Sequence, residues 1–193
     1  MRQTAAHRGA ESRARRALRE QLAPLGMTEA SAGELGAIRA LAAGTISPDV
    51  ASEDALHALH RRTGYGFYVA REGGSIGALI ALALLNQAGF TAIRGEKFNS
   101  LAPSLDHAAR ADEEPVAVYG WGIAAATREA AMTVVDGGWA VLTALPEQPF
   151  FARAATDAGL RLLTQKMRFV PYPGSTTGLL WWEHDHTVER RAA

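Results

Sequence analysis

The chain has 193 residues, and its 20 lysines and arginines balance 20 aspartates and glutamates, so its formal net charge is zero. This balance disfavours a strongly basic nucleic-acid-binding protein, and the absence of cysteine excludes disulfides, thiolate nucleophiles and cysteine-ligated metal sites. Apolar residues make up 48% and charged residues 21% of the chain, which is typical of a globular protein. Abundant alanine and arginine are typical of a GC-rich bacterial genome.

The longest apolar run, residues 76–85, is far shorter than the roughly 20 residues that span a bilayer. No apolar stretch follows the N-terminal methionine, so no secretory signal is apparent. We therefore expect a cytoplasmic protein with no membrane partner.

The chain opens with an arginine-rich segment. Residues 1–20 carry six arginines against two glutamates. Helix-forming residues with one small, apolar face predict a helix within residues 1–24, ended by Pro24 and Gly26. One interpretation is an arm that binds nucleic acid or an anionic membrane. The other is a solvated helix docked on the domain, or a frayed leader, which the lack of interleaved aromatic residues favours.

Within residues 25–85 the spacing of apolar residues changes from the period of a helix to that of a strand. An edge strand is predicted over residues 25–31, and helices over 34–43 and 53–62, the second capped by Ser52. A strand over 66–71 and a turn over 72–75 follow. Residues 76–85 are nearly all apolar, which predicts a strand buried on both faces.

Residues 86–114 are predicted to be a long connection with isolated apolar anchors. Such a connection is expected to fold back over the sheet. As a lid on a binding cleft it would bring Asp106 and His107 near a substrate. As a cover it would only shield apolar sheet surface, and the two alternatives stay open.

The second half of the chain completes an α/β pattern. A strand over 115–124 precedes a helix capped by Thr127, whose apolar stripe either continues through Gly137 and Gly138 or breaks there. For residues 139–145 a helix is preferred over a strand. Strands follow over 150–154, 168–171 and 178–183, with a helix over 157–167. We predict one domain over residues 25–186, with a mixed, mostly antiparallel sheet flanked by helices, and a tail over 187–193.

Two histidine pairs are the candidate metal ligands. His57 and His60 lie three apart on a helix, which lacks the spacing and glutamate of a zincin motif. His184 and His186 lie near the charged C-terminus. Surface or capping roles are favoured for both pairs, so no metal site is predicted.

Three stretches in order resemble the GNAT superfamily, the acyl-CoA-dependent N-acyltransferases. They read MTEASAGELGAI from residue 27, FYVAREGGSIGAL from residue 67 and ATDAGLRLLTQKMRFVP from residue 155. The resemblance implies a divergent GNAT-like fold whose third strand lies inside the sheet and whose fourth and fifth strands separate at their ends. It also implies transfer of an acyl group from acetyl-CoA or another acyl-CoA to an amine on a small molecule or protein.

The resemblance places the site around the fourth strand. The stretch corresponding to the family's pyrophosphate loop has alanines where the family has glycines. Its cofactor-binding residues would be Ile123, Ala124, Ala125, Thr127 and Arg128. Glu113, Glu114 and Tyr119 are the candidates to accept the amine proton, with Glu114 and Tyr119 preferred. A solvated loop pair is the alternative for the two glutamates. Trp121 would line the substrate cleft with Asp106 and His107. Packing is the alternative role for Tyr119 and Trp121.

The missing glycines leave a second class of function open. The same fold would then serve as a binding or regulatory protein without catalysis. Trp181 and Trp182 on the last strand place one ring on each face, which makes the exposed ring a candidate homodimer contact.

Overall fold

A seven-stranded sheet forms the centre of the computed structural model, which describes residues 11–182. His184, His186 and the predicted tail lie outside the described residues. In chain order the elements are α1 (Arg13–Leu22), β1 (Thr28–Glu29), α2 (Leu35–Thr45), α3 (Glu53–Thr63), β2 (Phe67–Glu72), β3 (Ser75–Leu85), α4 (Gln87–Arg94), β4 (Ala117–Ala125), α5 (Arg128–Ala144), β5 (Phe150–Ala152), α6 (Asp157–Arg161), β6 (Val170–Pro171) and β7 (Leu180–Trp182).

The strand order is β1-β2-β3-β4-β5-β7-β6. Strands β1, β2, β3 and β4 pair antiparallel with one another in that order, β5 runs parallel to β4, and β7 is antiparallel to both β5 and β6. The predicted α/β class with a mixed, mostly antiparallel sheet is therefore confirmed. Strand β3 lies between β2 and β4, and its last nine residues are buried, as its uninterrupted apolar sequence predicts.

Helices cover both faces of the sheet. Helices α1 and α5 pack on one side, which we call the α5 face, around the buried residues Leu18, Leu82 and Leu142. Helices α2, α3 and α4 pack on the other side, the α2 face, where Leu35, Leu59 and Ile93 are buried. Each face thus has its own hydrophobic core, and the two cores meet at the strands.

The arginine-rich helix α1 is docked on the domain. Its Ala14, Leu18 and Leu22 are buried against the α5 face. All four arginines of the helix have acidic partners within the chain: Arg13 with Glu114, Arg15 with Glu29, and both Arg16 and Arg19 with Glu11. The more exposed of these pairs each contribute at most about 1 kcal/mol. For residues 13–22 the docked interpretation is confirmed.

Helix α5 continues through Gly137 and Gly138 to Ala144, so the predicted helix over 139–145 is confirmed. Both glycines are buried where the helix approaches its neighbours closely. A Cβ atom on Gly137 would lie 2.7 Å from Ile80 Cδ1 and 2.7 Å from Met27 Sδ, and one on Gly138 would overlap the end of Met167. The glycines lower helix propensity but allow this close packing.

The connection over 86–114 is more ordered than its sequence indicates. It begins with α4, which is capped by the Asn86 side chain accepting a hydrogen bond of 3.0 Å from the Gly89 backbone N–H. A single turn of 3-10 helix follows at Leu105–His107. The prediction missed α4 because the helix has only eight residues, which are marginal without tertiary packing.

Other element boundaries also differ from the predictions. Strand β1 has two residues instead of seven, and β7 begins at Leu180 instead of residue 178. The helix predicted over 157–167 changes after Arg161 into a π-helical turn over Leu162–Lys166. Element ends depend on hydrogen bonds with distant segments, so periodicity alone places them poorly.

Candidate functional site

Strands β4 and β5 pair over only three residues. Val118, Tyr119 and Gly120 lie opposite Phe150, Phe151 and Ala152 in the parallel ladder. Beyond this point β4 continues to Ala125, whereas β5 ends. The gap in the sheet beside the second half of β4 therefore arises because β5 is short.

A cavity of about 560 Å³ lies at this opening, and we call it the central cavity. Phe67, Tyr119 and Trp121 line it on the α2 face, and Val134 and Leu142 line it on the α5 face. The cavity thus reaches both faces through the gap in the sheet. Its volume and mainly apolar lining are typical of small-molecule sites.

A β-bulge positions Trp121 at the cavity. Ala81 of β3 pairs with Gly122 and the next residue, Leu82, pairs with Gly120, so Trp121 is the extra residue. Its indole Nε1 donates a hydrogen bond of 2.5 Å to the Ser100 carbonyl, and its ring packs 5.8 Å from the ring of Phe67. Bulges redirect side chains in this way, and here the bulge places Trp121 in the wall of the central cavity.

Tyr119 is buried on the same face and also lines the cavity. Its ring centroid lies 5.1 Å from that of Phe98, which fixes the ring. Among residues 11–182 its hydroxyl has no hydrogen-bond partner. The packing role and the chemical role predicted for Tyr119 are thus compatible, because the ring packs while the hydroxyl stays uncommitted.

Glu114 lies away from the cavity. Its carboxylate accepts hydrogen bonds of 2.5 Å and 3.0 Å from the backbone N–H groups of Arg13 and Ala14, at the N-terminus of α1. A carboxylate there satisfies free N–H groups and complements the helix dipole. The structure therefore does not bring Glu114 and Tyr119 together, and it gives Glu114 a structural role in place of the predicted catalytic one.

Asp106 and His107 also lie outside the lining of the cavity. Both backbone carbonyls accept hydrogen bonds from Asn86, and the His107 ring packs 6.3 Å from Phe98. Ser100 and Leu101 are the residues of the 86–114 segment that reach the cavity. The placement of Asp106 and His107 at a substrate cleft is therefore not supported, whereas lid and cover both remain compatible with the buried anchors of the segment.

The predicted cofactor residues lie where β4 passes into α5. Ile123, Ala124 and Ala125 line the central cavity. Thr127 caps α5 by accepting a hydrogen bond of 3.1 Å from the Ala130 N–H, and Arg128 is the exposed first residue of the helix. Neither Thr127 nor Arg128 lines the cavity, but both sit at a helix N-terminus, where free N–H groups favour anions.

Three charged residues that the sequence interpretation missed line the central cavity: Arg39, Asp49 and Arg153. Arg39 Nε donates to the Ala51 carbonyl at 3.2 Å, and Arg153 donates to Thr177 Oγ1 through Nε at 3.2 Å and Nη2 at 3.0 Å. None of the three has an ion-pair partner in the part of the chain that the structure describes. No local motif marks them, because they come from separate segments.

The carboxylate of Glu96 lies outside the cavity and holds the turn between β6 and β7 through hydrogen bonds. Glu96 accepts hydrogen bonds from the side chains of Ser175, Thr176 and Thr177 and from backbone N–H groups of the last two. The hydrogen bond from Ser175, followed by those from Thr177 and Thr176, lowers the pKa of Glu96 far below its usual range. Thr177 Oγ1 also accepts hydrogen bonds from Arg153. The hydrogen bonds of Glu96 to this turn therefore help to place Arg153 beside the cavity.

No metal-binding group of three or more histidine, aspartate or glutamate side chains occurs within residues 11–182. His57 lies 3.6 Å from Glu53 on α3. Burial, with a smaller contribution from the charge of His57, lowers the pKa of His60.

Comparison with known proteins adds no relative. No family model matches the chain, and no curated protein gives a significant match. Over the described residues, no helix combines the length and apolar character needed to cross a bilayer.

Proposed function

We propose that the protein transfers an acyl group from acyl-CoA to an amine, as its resemblance to the GNAT superfamily implies. The opening between β4 and β5, with the central cavity passing through it, is the observation that carries this proposal. A thioester on a narrow arm and an amine must meet, and a cavity open to both faces of a sheet allows each to enter from its own side. Orienting two reactants this way contributes strongly to acyl transfer.

The residues divide between the two substrates. The anionic end of acyl-CoA would lie at the N-terminus of α5, near Thr127 and Arg128, with Ile123 to Ala125 beside the acyl arm. The amine would enter on the α2 face beside Trp121. It attacks the thioester carbon, the C–S bond breaks, and the amine loses a proton. Tyr119, whose hydroxyl is uncommitted, would relay that proton by donating its own phenolic proton to the sulfur that leaves, so that CoA departs as the free thiol.

Binding of acetyl-CoA is the first expected result. Ala154 lines the central cavity just beyond β5, so Ala154→Phe should fill the space and weaken acetyl-CoA binding at least tenfold, measured by calorimetric titration. Ala37→Phe is the control, because Ala37 is exposed on α2 and outside the cavity lining. Equal affinity in wild type and Ala154→Phe, or no binding to wild type, would contradict the proposal.

A second expected result concerns Tyr119. Tyr119→Phe removes the hydroxyl and keeps the ring against Phe98. We expect turnover to fall about 10²–10⁴-fold, the usual contribution of a positioned acid–base group, with acetyl-CoA affinity unchanged. Release of the free thiol of CoA with a panel of amines measures the rate. An unchanged rate would remove Tyr119 from the chemistry.

A binding or regulatory protein without catalysis is the second candidate. Two observations favour it: the stretch over residues 123–128 has no glycine, and the Glu114 carboxylate caps α1. This candidate predicts acetyl-CoA binding in wild type with no release of thiol from any amine tested.

A further inference from the structure

The charges on the α2 face of the central cavity point to a class of acceptor. Arg39 on α2 and Asp49 after it line the cavity beside Trp121. Arg39 is half-buried, and its one hydrogen bond, from Nε to the Ala51 carbonyl, leaves both terminal nitrogens without a partner among the described residues. This guanidinium therefore has donors to offer a ligand.

Arg39 differs from the arginines whose charge an acidic side chain of the chain already neutralises. The four arginines of α1 are paired with acids, and Arg71 makes a 2.6 Å ion pair with Glu34. Arg39 has no such pair in the described part of the chain, and it lies beside the mainly apolar central cavity. A ligand carboxylate would supply the missing partner, since guanidinium and carboxylate match as a planar, bidentate pair.

Asp49 supplies the complementary charge. It lines the same cavity but makes no ion pair with Arg39, so both groups are free to face a ligand. A molecule that carries both an ammonium and a carboxylate complements the two charges. The neighbouring Trp121, Phe67 and Leu101 offer apolar surface to the rest of such a molecule.

We propose that the acceptor is a small amine that also carries a carboxylate, of the amino-acid class, bound through its carboxylate to Arg39 and through its ammonium to Asp49. This inference rests on the proposed function for the fate of the amine, but the binding step stands without acyl-CoA. Deprotonation of the ammonium, with Asp49 as an adjacent acceptor, would precede its attack on the thioester.

The test compares two ligands that differ in one group. L-Phenylalanine and phenethylamine share the amine and the ring, but phenethylamine lacks the carboxylate. We expect calorimetric titration of the full chain to give at least tenfold tighter binding of L-phenylalanine, consistent with hydrogen bonds to a charged group. Equal affinity for the two ligands, or binding of neither, would overturn the proposal.

Variants assign the preference to Arg39. Arg39→Gln removes the charge and retains an amide donor for the Ala51 carbonyl, so the fold should persist, as checked by its thermal melting curve. We expect it to lose the preference for L-phenylalanine while phenethylamine binds within twofold of wild type. Arg61→Ala, an exposed arginine on α3 outside the cavity, should keep the preference. A preference that survives in Arg39→Gln overturns the assignment.

Titration with acetyl-CoA separates this inference from the proposed function. Acetyl-CoA binding without a carboxylate preference would overturn the acceptor class alone. A carboxylate preference that depends on Arg39, without acetyl-CoA binding, would overturn the transferase and support the amino-acid site.

Discussion

Replacing Gly89 with alanine is expected to lower the free energy of unfolding by about 3 kcal/mol, at the upper end of overpacking effects. Gly89 is buried in α4, and a Cβ atom there would overlap the His107 carbonyl oxygen and lie 3.1 Å from Leu85 Cβ. A backbone oxygen cannot rotate away as a side chain can. The helix or the 3-10 turn at Leu105–His107 would have to shift, and the hydrogen bonds of Asn86 to that turn would be disturbed.

Gly44→Ala is the matched control for Gly89→Ala. Gly44 also lies in a helix, α2, but a Cβ atom there meets nothing within 4 Å. Alanine is favoured over glycine in helices by up to about 1 kcal/mol, so this variant should be neutral or stabilised. Urea denaturation measures both. A Gly89→Ala protein as stable as wild type would show that α4 does not pack on the His107 carbonyl as the structure describes.

Replacing residues 87–113 with a short Gly-Ser link is expected to abolish cooperative unfolding. Ile93 and Phe98 of this segment are buried on the α2 face. Losing two such side chains costs about 5–10 kcal/mol, which is comparable with a typical total stability of about 5–15 kcal/mol. A short link can join the two ends of the deleted segment, because they already lie close together: the Val116 N–H donates a hydrogen bond of 2.8 Å to the Leu85 carbonyl.

Single substitutions test the contribution of this segment to stability without removing it. Phe98→Ala should destabilise the protein by about 3–5 kcal/mol, whereas Leu105→Ala should change stability by less than about 0.5 kcal/mol, because Leu105 is exposed. Near-ultraviolet circular dichroism and urea denaturation report the result. A shortened protein that unfolds cooperatively but no longer binds acetyl-CoA would identify the segment as a lid.

Local sequence determined much of the architecture, because helix caps and strand periods involve residues close in the chain. Ser52 and Thr127 cap the helices that their positions predict, each accepting a hydrogen bond from the backbone N–H three residues later. The uninterrupted apolar sequence of β3 predicts by itself a strand that is buried on both faces, without knowledge of the neighbouring strands. These features, in order, were sufficient for the α/β class and the mixed sheet.

Tertiary structure alone decided which side chains meet at the site. Glu114 caps a helix 100 residues earlier in the chain, so its position beside β4 in sequence was misleading. Arg39, Asp49 and Arg153 converge on one cavity from three segments, and Glu96 holds a turn 80 residues later. Such contacts arise because helices and strands bury their apolar faces together. The polar residues that this packing brings together follow neither a helical nor a strand spacing, so periodicity in the sequence does not reveal them.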